Sequence, residues 1–140
     1  MNERNDRVPM DLSKQVVFRS SGVPDNRQAF GPYIIEPLLT EVEESAGTVY
    51  RVQVAAHRRT STSYHVVAEE FYYVLSGTAT AVLNGAEQRI GPGDFLRLPP
   101  GTRHAFVTAE EPLEMLDIHV PGCRPDRDTY FVPDQPAADD

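Results

Sequence analysis

Three turn signals follow one another closely between Thr78 and Thr108: Asn84-Gly85, Gly91-Pro92-Gly93-Asp94 and Pro99-Pro100-Gly101. Asn-Gly is a strong hairpin signal, because both central positions of a type I′ turn need positive φ. The runs between these signals are short and rich in β-branched and aromatic residues. The pattern predicts strands over Thr78–Leu83, Ala86–Ile90, Phe95–Leu98 and Arg103–Thr108, and others over Thr48–Val54, Phe71–Leu75 and Leu113–Val120. Many short strands with a turn every few residues imply an all-β sandwich or barrel. Pro37–Ser45 reads equally as a short helix or a strand.

A chain of 140 residues is one domain by the usual prior, and 40% hydrophobic with 24% charged residues suits a globular core. The core is expected over 31–121. Residues 1–30 read as an N-terminal arm, with Val16-Val17-Phe18 as a possible added strand. Residues 122–140 read as a C-terminal extension, in which Tyr130-Phe131-Val132 packs on something. Thirteen Lys and Arg against 21 Asp and Glu leave a net charge of −8. That balance excludes nucleic acid and anionic membrane as expected partners. The single cysteine, Cys123, rules out an internal disulfide. No apolar run has the length of a signal peptide or a membrane span, so a soluble cytoplasmic protein is expected.

Two segments carry the chemistry. Gly93, Pro99, Gly101 and His104 in G-D-F-L-R-L-P-P-G-T-R-H-A-F-V-T match G-x5-P-x-G-x2-H-x3-N, with Thr108 in place of the final Asn. His65, Glu70 and Gly77 in S-Y-H-V-V-A-E-E-F-Y-Y-V-L-S-G match H-x-H-x4-E-x6-G, with Ser63 in place of the first His. Together these resemble the two motifs of the cupin family over Thr48–Pro121. The resemblance implies a double-stranded β-helix, or jelly-roll barrel, with a small-molecule site in its mouth. It also implies metal ligation by His65, Glu70 and His104. The string Y-H-x4-E-F-Y-Y-x-L-x-G is similar to that of the 3-hydroxyanthranilate 3,4-dioxygenases, cupins whose iron is held by two His and one Glu. The His65–Glu70 spacing is one residue shorter here. The substrate-binding arginines of that family would fall near Ser61 and at Thr108.

Alternation along a strand puts Glu70 on one face with Tyr72 and Val74, and Glu69, Phe71, Tyr73 and Leu75 on the other. A carboxylate on an apolar inner face is costly unless a cation meets it. Two imidazoles and a carboxylate with open positions form the facial triad of non-haem Fe(II); Zn, Mn or Ni also fits. The alternative is a metal-free polar cluster in a binding pocket. Ser63 offers a hydroxyl, a water site or a vacant position for substrate. Tyr72 and Phe106 are expected to project inward, Tyr72 as a candidate proton donor. Arg51 and Gln53 either line the pocket or form a solvated face, and Thr108 is a further pocket candidate. His57 reads as a loop residue, and Arg58, Arg59, Arg97 and Arg103 as surface charge.

In Leu113–Val120 the inner face is taken as Leu116, Ile118 and Val120. Asp117 and His119 then point outward as a surface pair. Cys123, with no histidine nearby in sequence, reads as a spectator thiol. A strand apolar on both faces must be covered on both. Phe71, Tyr73 and Leu75 therefore imply an outer cover, either the N-terminal arm or a second subunit, and a homodimer is expected. The functional expectation is an Fe(II) dioxygenase of a small organic substrate. The alternatives are a redox-neutral metal-dependent isomerase, cyclase or lyase, and a non-enzymatic binding protein.

Overall fold

The computed structural model describes residues 10–22 and 24–133. The expected strands form, with small shifts at their ends. They are β1 (Gln28–Phe30), β2 (Tyr33–Pro37), β3 (Thr48–Val54), β4 (Ser63–Tyr64), β5 (Glu69–Ser76), β6 (Ala79–Leu83), β7 (Ala86–Ile90), β8 (Phe95–Leu98), β9 (His104–Thr108), β10 (Leu113–Val120) and β11 (Tyr130–Phe131). All pairings are antiparallel. One sheet runs β1-β2-β3-β10-β5-β8 and the other β11-β4-β9-β6-β7. This is the cupin barrel. Among the described residues no helix is long and apolar enough to cross a membrane. The undecided Pro37–Ser45 stretch ends β2 and makes one 3-10 turn, Glu41–Glu43, closed by a capping box between Thr40 and Glu43.

The turns behave as the local chemistry requires. Asn84 and Gly85 adopt φ of 50° and 85° between β6 and β7. Gly77, the last residue of the first motif, sits at φ +82°, and a Cβ there would run into the Pro112 carbonyl. Glycine at this position is therefore a steric need as well as a conformational one.

The inner faces of both sheets meet in a core that includes Val52, Val54, Val74, Ala81, Phe106, Leu113 and Met115. Burying a side chain such as Phe106 or Leu113 is worth about 1.5–3 kcal/mol. On β5 the expected alternation holds. Glu70, Tyr72 and Val74 are buried, while Tyr73 and Leu75 remain exposed.

On β10 the expected faces are reversed. Leu113, Met115, Asp117 and His119 are the buried set, and Val120 is exposed. β10 lies between β3 and β5, and its register sets His119 opposite Glu70 and Asp117 opposite Tyr72. The period-2 series starting at Leu113 and Met115 therefore continues inward through two polar residues. Leu116 and Ile118 face outward because that face is also partly covered. Val17 from the N-terminal segment lines a hollow with Val49, Ile118 and Val120. Arg19 ties this segment down with paired bonds to Glu43, 3.0 and 3.1 Å, and one to the Leu38 carbonyl, 2.6 Å. Val16–Phe18 does not add a strand. Val16 and Phe18 are almost fully exposed, and the strand at this end is Gln28–Phe30. Among the described residues this segment lies against β3 and β10.

Tyr130 and Phe131 pair with Tyr64 and Ser63. Tyr130 stacks on Tyr64 with ring centroids 5.5 Å apart, and Phe131 meets Phe30 at 6.0 Å. The segment after β10 thus folds back over the barrel mouth.

Candidate metal centre

Four strands or strand ends deliver one polar cluster into the apolar interior. Glu70 projects from β5, His65 follows β4, His104 opens β9 and His119 closes β10. All four are buried, Glu70 at 1% exposure. His65 Nε2 and His104 Nε2 lie 3.1 and 3.2 Å from Glu70 Oε1, and His119 Nε2 lies 2.8 Å from Glu70 Oε2. The structure brings together the three ligands expected from sequence and adds a third imidazole.

The other ring nitrogens settle the tautomers. His65 Nδ1 donates to the Asp128 carbonyl at 2.8 Å, and His104 Nδ1 to the Thr102 carbonyl at 3.0 Å. His119 Nδ1 faces Thr48 Oγ1 at 3.4 Å. That hydroxyl already donates to the Cys123 carbonyl at 3.0 Å, so the ring nitrogen must be the donor. With Nδ1 committed in this way, each Nε2 is turned toward the centre. Histidines that bind metals are oriented in this way by a partner on the other nitrogen.

Asp128 anchors this arrangement. It sits at φ 60°. Its carboxylate accepts from the Val66, Val67 and Ala68 N–H groups at 2.8–3.2 Å, clamping the turn that carries His65. Burial works against its charge, but these three backbone bonds win and hold its pKa below the usual range.

Glu70 Oε1 has no hydrogen-bond partner despite two ring nitrogens close by. Two ring nitrogens converging on one buried carboxylate oxygen form a set that a cation held between them would satisfy. The 2.8–3.2 Å separations also match the about 3 Å edge between adjacent ligands on bonds of about 2.1 Å. The donor set, nitrogen and carboxylate oxygen, suits Fe(II), Zn, Mn or Ni. The residues present therefore fit a divalent ion.

Burial and charge perturb the whole cluster. Burial alone would raise Glu70, but the neighbouring His104, His119 and His65 hold it well below the carboxylate range. Burial likewise opposes a charged His65, yet its contacts with Cys123 and Glu70 push it up to about 10. Burial lowers His104. Asp117 is pushed well above its usual value by burial and by Glu70 beside it. Its Oδ1 is buried without a partner, 3.8 Å from His119 Nε2.

The cluster closes a cavity of about 60 Å³, room for several waters or the end of a small organic molecule. Phe30, Tyr33, Ile35, Tyr50 and Val52 form its apolar wall, Ser63 and Tyr72 also line it, and Arg124, Pro125 and Thr129 stand at its mouth. Arg124 is engaged by Glu44 at 3.0 Å. Burial, with Asp117 and Glu70 nearby, raises the Tyr72 phenol and keeps it protonated.

Several expected pocket residues lie elsewhere. Arg51 and Gln53 are on the outer face of β3 and converge on Glu114 at 2.7–2.8 Å. Tyr50 and Val52 take the inner face, because burial of the strand's apolar set fixes its parity. Phe106 is fully buried behind Tyr72 and His104 and packs against them without lining the cavity. Thr108 donates to the Ala55 carbonyl at 2.6 Å and accepts from the Arg58 N–H at 2.9 Å, anchoring a loop. His57 is an exposed loop residue, and Glu69 meets Arg97 on the outer face.

Sequence reasoning missed three members of this region. His119 and Asp117 were legible only by counting from Leu113 instead of Leu116. Cys123 has no histidine near it in the chain, but its thiol lies 3.3 Å from His65 Nδ1 and donates to the Arg127 carbonyl at 3.2 Å. No local signal announces that contact, which the returning segment 121–129 creates.

The cupin-domain family model matches residues 50–119, the stretch that carries Glu70, both motifs and His119. The chain belongs to the cupin family. A segment of 59 residues is 36% identical to quercetin 2,3-dioxygenase of Bacillus subtilis (strain 168), covering 42% of this chain and 18% of that one. Another of 68 residues is 28% identical to 5-aminosalicylate 1,2-dioxygenase of Comamonas sp, covering 49% of this chain and 18% of the relative. The chain thus matches less than a fifth of either relative. Among solved structures, Streptomyces PAC13 with uridine superposes with TM-score 0.64 and 27% identity, over 76% of this cupin and 82% of that chain. PAC13 is described as a nucleoside dehydratase. Ectoine synthase from P. lautus shares the fold at TM-score 0.68 and 16% identity, over 84% and 90% of the two chains.

Proposed function

We propose that this cupin is a metal-dependent enzyme, a non-haem Fe(II) dioxygenase of a small, uncharged organic substrate. His65, Glu70 and His104 are its ligands. The observation that carries the reading is the buried Glu70 carboxylate, on whose Oε1 the Nε2 atoms of His65 and His104 converge at 3.1 and 3.2 Å. The two dioxygenases among its relatives support the oxidative direction. When bound, the ion would orient substrate and dioxygen and stabilise negative charge developing on oxygen.

The protein's own residues do the rest. The wall formed by Phe30, Tyr33, Ile35, Tyr50 and Val52 excludes water and receives an apolar ring or chain. Tyr72 presents a protonated phenol and donates a hydrogen bond to a substrate oxygen. Arg124, the cation at the mouth, is held by Glu44, which disfavours a carboxylate substrate.

A second reading is a redox-neutral dehydration or isomerisation. Asp117, a second buried carboxyl beside Glu70, favours it, as does the likeness to a nucleoside dehydratase. One experiment separates the two. Protein purified without chelator is assayed for bound metal. It is then reloaded with Fe(II) and given catechols, aminophenols, β-diketones and nucleosides at an oxygen electrode. Iron-dependent oxygen uptake that disappears in Glu70→Gln is the expected result. Turnover under anaerobic conditions supports the second reading, and protein that retains no ion overturns the metal assignment. We also propose pairing with a second copy through the outer face of β5 and β8, where Phe71 and Phe95 stack at 6.0 Å and Tyr73, Leu75 and Phe95 are exposed.

A further inference from the structure

The cavity beside the metal centre is nearly closed to solvent. Tyr33, Ser63, His65, Tyr72 and Cys123 line it, and none of them is more than 9% exposed. Its volume of about 60 Å³ is a fraction of the about 300–1,000 Å³ that small-molecule sites usually offer. A whole substrate therefore enters only if part of the wall yields. One stretch of wall is a seam between the two sheets, where one sheet ends at β1 and the other at β11. Among the described residues no backbone hydrogen bond joins these two edges. Side chains close the gap. Phe30 of β1 lines the cavity and meets Phe131 of β11, with ring centroids 6.0 Å apart and planes tilted by 52°.

The two edges are held unequally. β11 pairs with β4, and Tyr130 stacks on Tyr64. The Val132 N–H donates to the Thr62 carbonyl at 3.0 Å, and the Asp128 carboxylate grips the turn at Val66–Ala68 just before this strand. β1 has three residues and β2 as its neighbour in the sheet. Its Gln28 and Ala29 are exposed. The turn into β2 carries Gly31 at φ +59°, with open space where a Cβ would stand. A short edge strand with few buried contacts, ending in a glycine turn, belongs to the elements that open locally at low cost.

We propose that substrate enters through this seam as β1 swings outward, and that Phe30 and Phe131 select what passes. Sliding a flat ring between two aromatic faces needs centroids about 7–8 Å apart, two contacts of about 3.5–4.0 Å each, which is about 1–2 Å beyond the observed spacing. A puckered or branched molecule of the same length needs a wider opening and is held back. The entrance favours planar aromatic molecules, which the apolar wall behind it can receive. The inference concerns the cavity of the proposed function and requires neither a bound metal nor turnover.

Cys123 provides the test, because it is the single cysteine and lies in the cavity wall. Native full-length protein is treated with N-phenylmaleimide or N-cyclohexylmaleimide, reagents of similar length of which the first alone carries a flat ring. The thiol adds across the maleimide double bond, sulfur to one carbon and a proton to the other, and nothing leaves. Adduct formation is followed by mass spectrometry, and each rate is divided by that of glutathione with the same reagent. The parent should prefer the phenyl reagent by about tenfold, the scale of one aromatic contact. Phe30→Ala and Phe131→Ala should raise both rates and shrink that preference to about twofold or less. Glu44→Ala releases Arg124 and Arg127 elsewhere on the covering segment, and should leave the preference unchanged. Phenylalanine variants that fold by circular dichroism and react like the parent overturn the seam as the entrance. So does a rate raised by Glu44→Ala and by neither phenylalanine variant, or a thiol that stays unreactive in every protein. A parent without preference overturns the selection of flat molecules. These outcomes do not depend on metal content, so failure here and failure of the metal-dependent reading are read separately.

Discussion

Replacing Asp128 with alanine should cost this cupin about 3 kcal/mol without touching the residues that face the centre. The sum comes from the geometry. Three N–H groups lose a carboxylate partner. Those of Val66 and Val67 are exposed and rehydrate cheaply. That of Ala68 is partly buried, and leaving it unpaired costs about 1–3 kcal/mol. Alanine at φ 60° adds about 1–2 kcal/mol, a penalty that Asp and Asn largely escape. For a domain of this size, 3 kcal/mol lowers Tm by about 10 °C. Asp128→Asn keeps an acceptor oxygen and the tolerated backbone, and should cost only about 1 kcal/mol for the lost charge.

The assay is urea unfolding of chelator-treated protein, followed by circular dichroism from pH 7 down to pH 3. The folded pKa of Asp128 is depressed. Its charge therefore contributes fully above the unfolded value of about 3.9 and is lost as pH falls toward the folded value. The gap between the parent and Asp128→Asn should close on acidification. An alanine variant within about 0.5 kcal/mol of the parent, or a gap that widens in acid, would refute the reasoning.

Other perturbations probe other parts of the molecule. Gly77→Ala should lose about 3 kcal/mol in the same unfolding assay, since it combines φ +82° with a collision against the Pro112 carbonyl. Arg51→Ala should leave metal content and turnover unchanged and cost at most about 1 kcal/mol, because its partner Glu114 is on the outer face. Phe95→Asp should convert the proposed dimer to monomer in sedimentation velocity while the ion content stays the same. A parent that is already monomeric at all concentrations sinks that proposal.

The turn dipeptides and the period-2 runs between them were enough to read nearly every strand, because both are local properties of the chain. Glu70 took a further signal: its strand is apolar on both parities, and the E-x6-G spacing to Gly77 picked it over Glu69. His65 and His104 were legible through their spacing to glycine and proline. The strand 113–120 defeated the same method, because it is apolar on both parities, and parity then depends on which neighbours it pairs with and what covers each side. Arg51 and Gln53 show the converse: alternation placed them together, but nothing in the chain said which face was solvent.

What local chemistry dictates here is a β-barrel with an inward carboxylate and two histidines ready to meet it. The third imidazole lies 49 residues from Glu70, and the Thr48–Cys123 lock behind it and the Asp128 clamp on His65 join parts of the chain 60–75 residues apart. Contacts of that kind arise from strand register and from a returning segment that closes the mouth. Neither leaves a periodic mark in the sequence, so the composition of the centre became visible only when the two sheets were brought face to face.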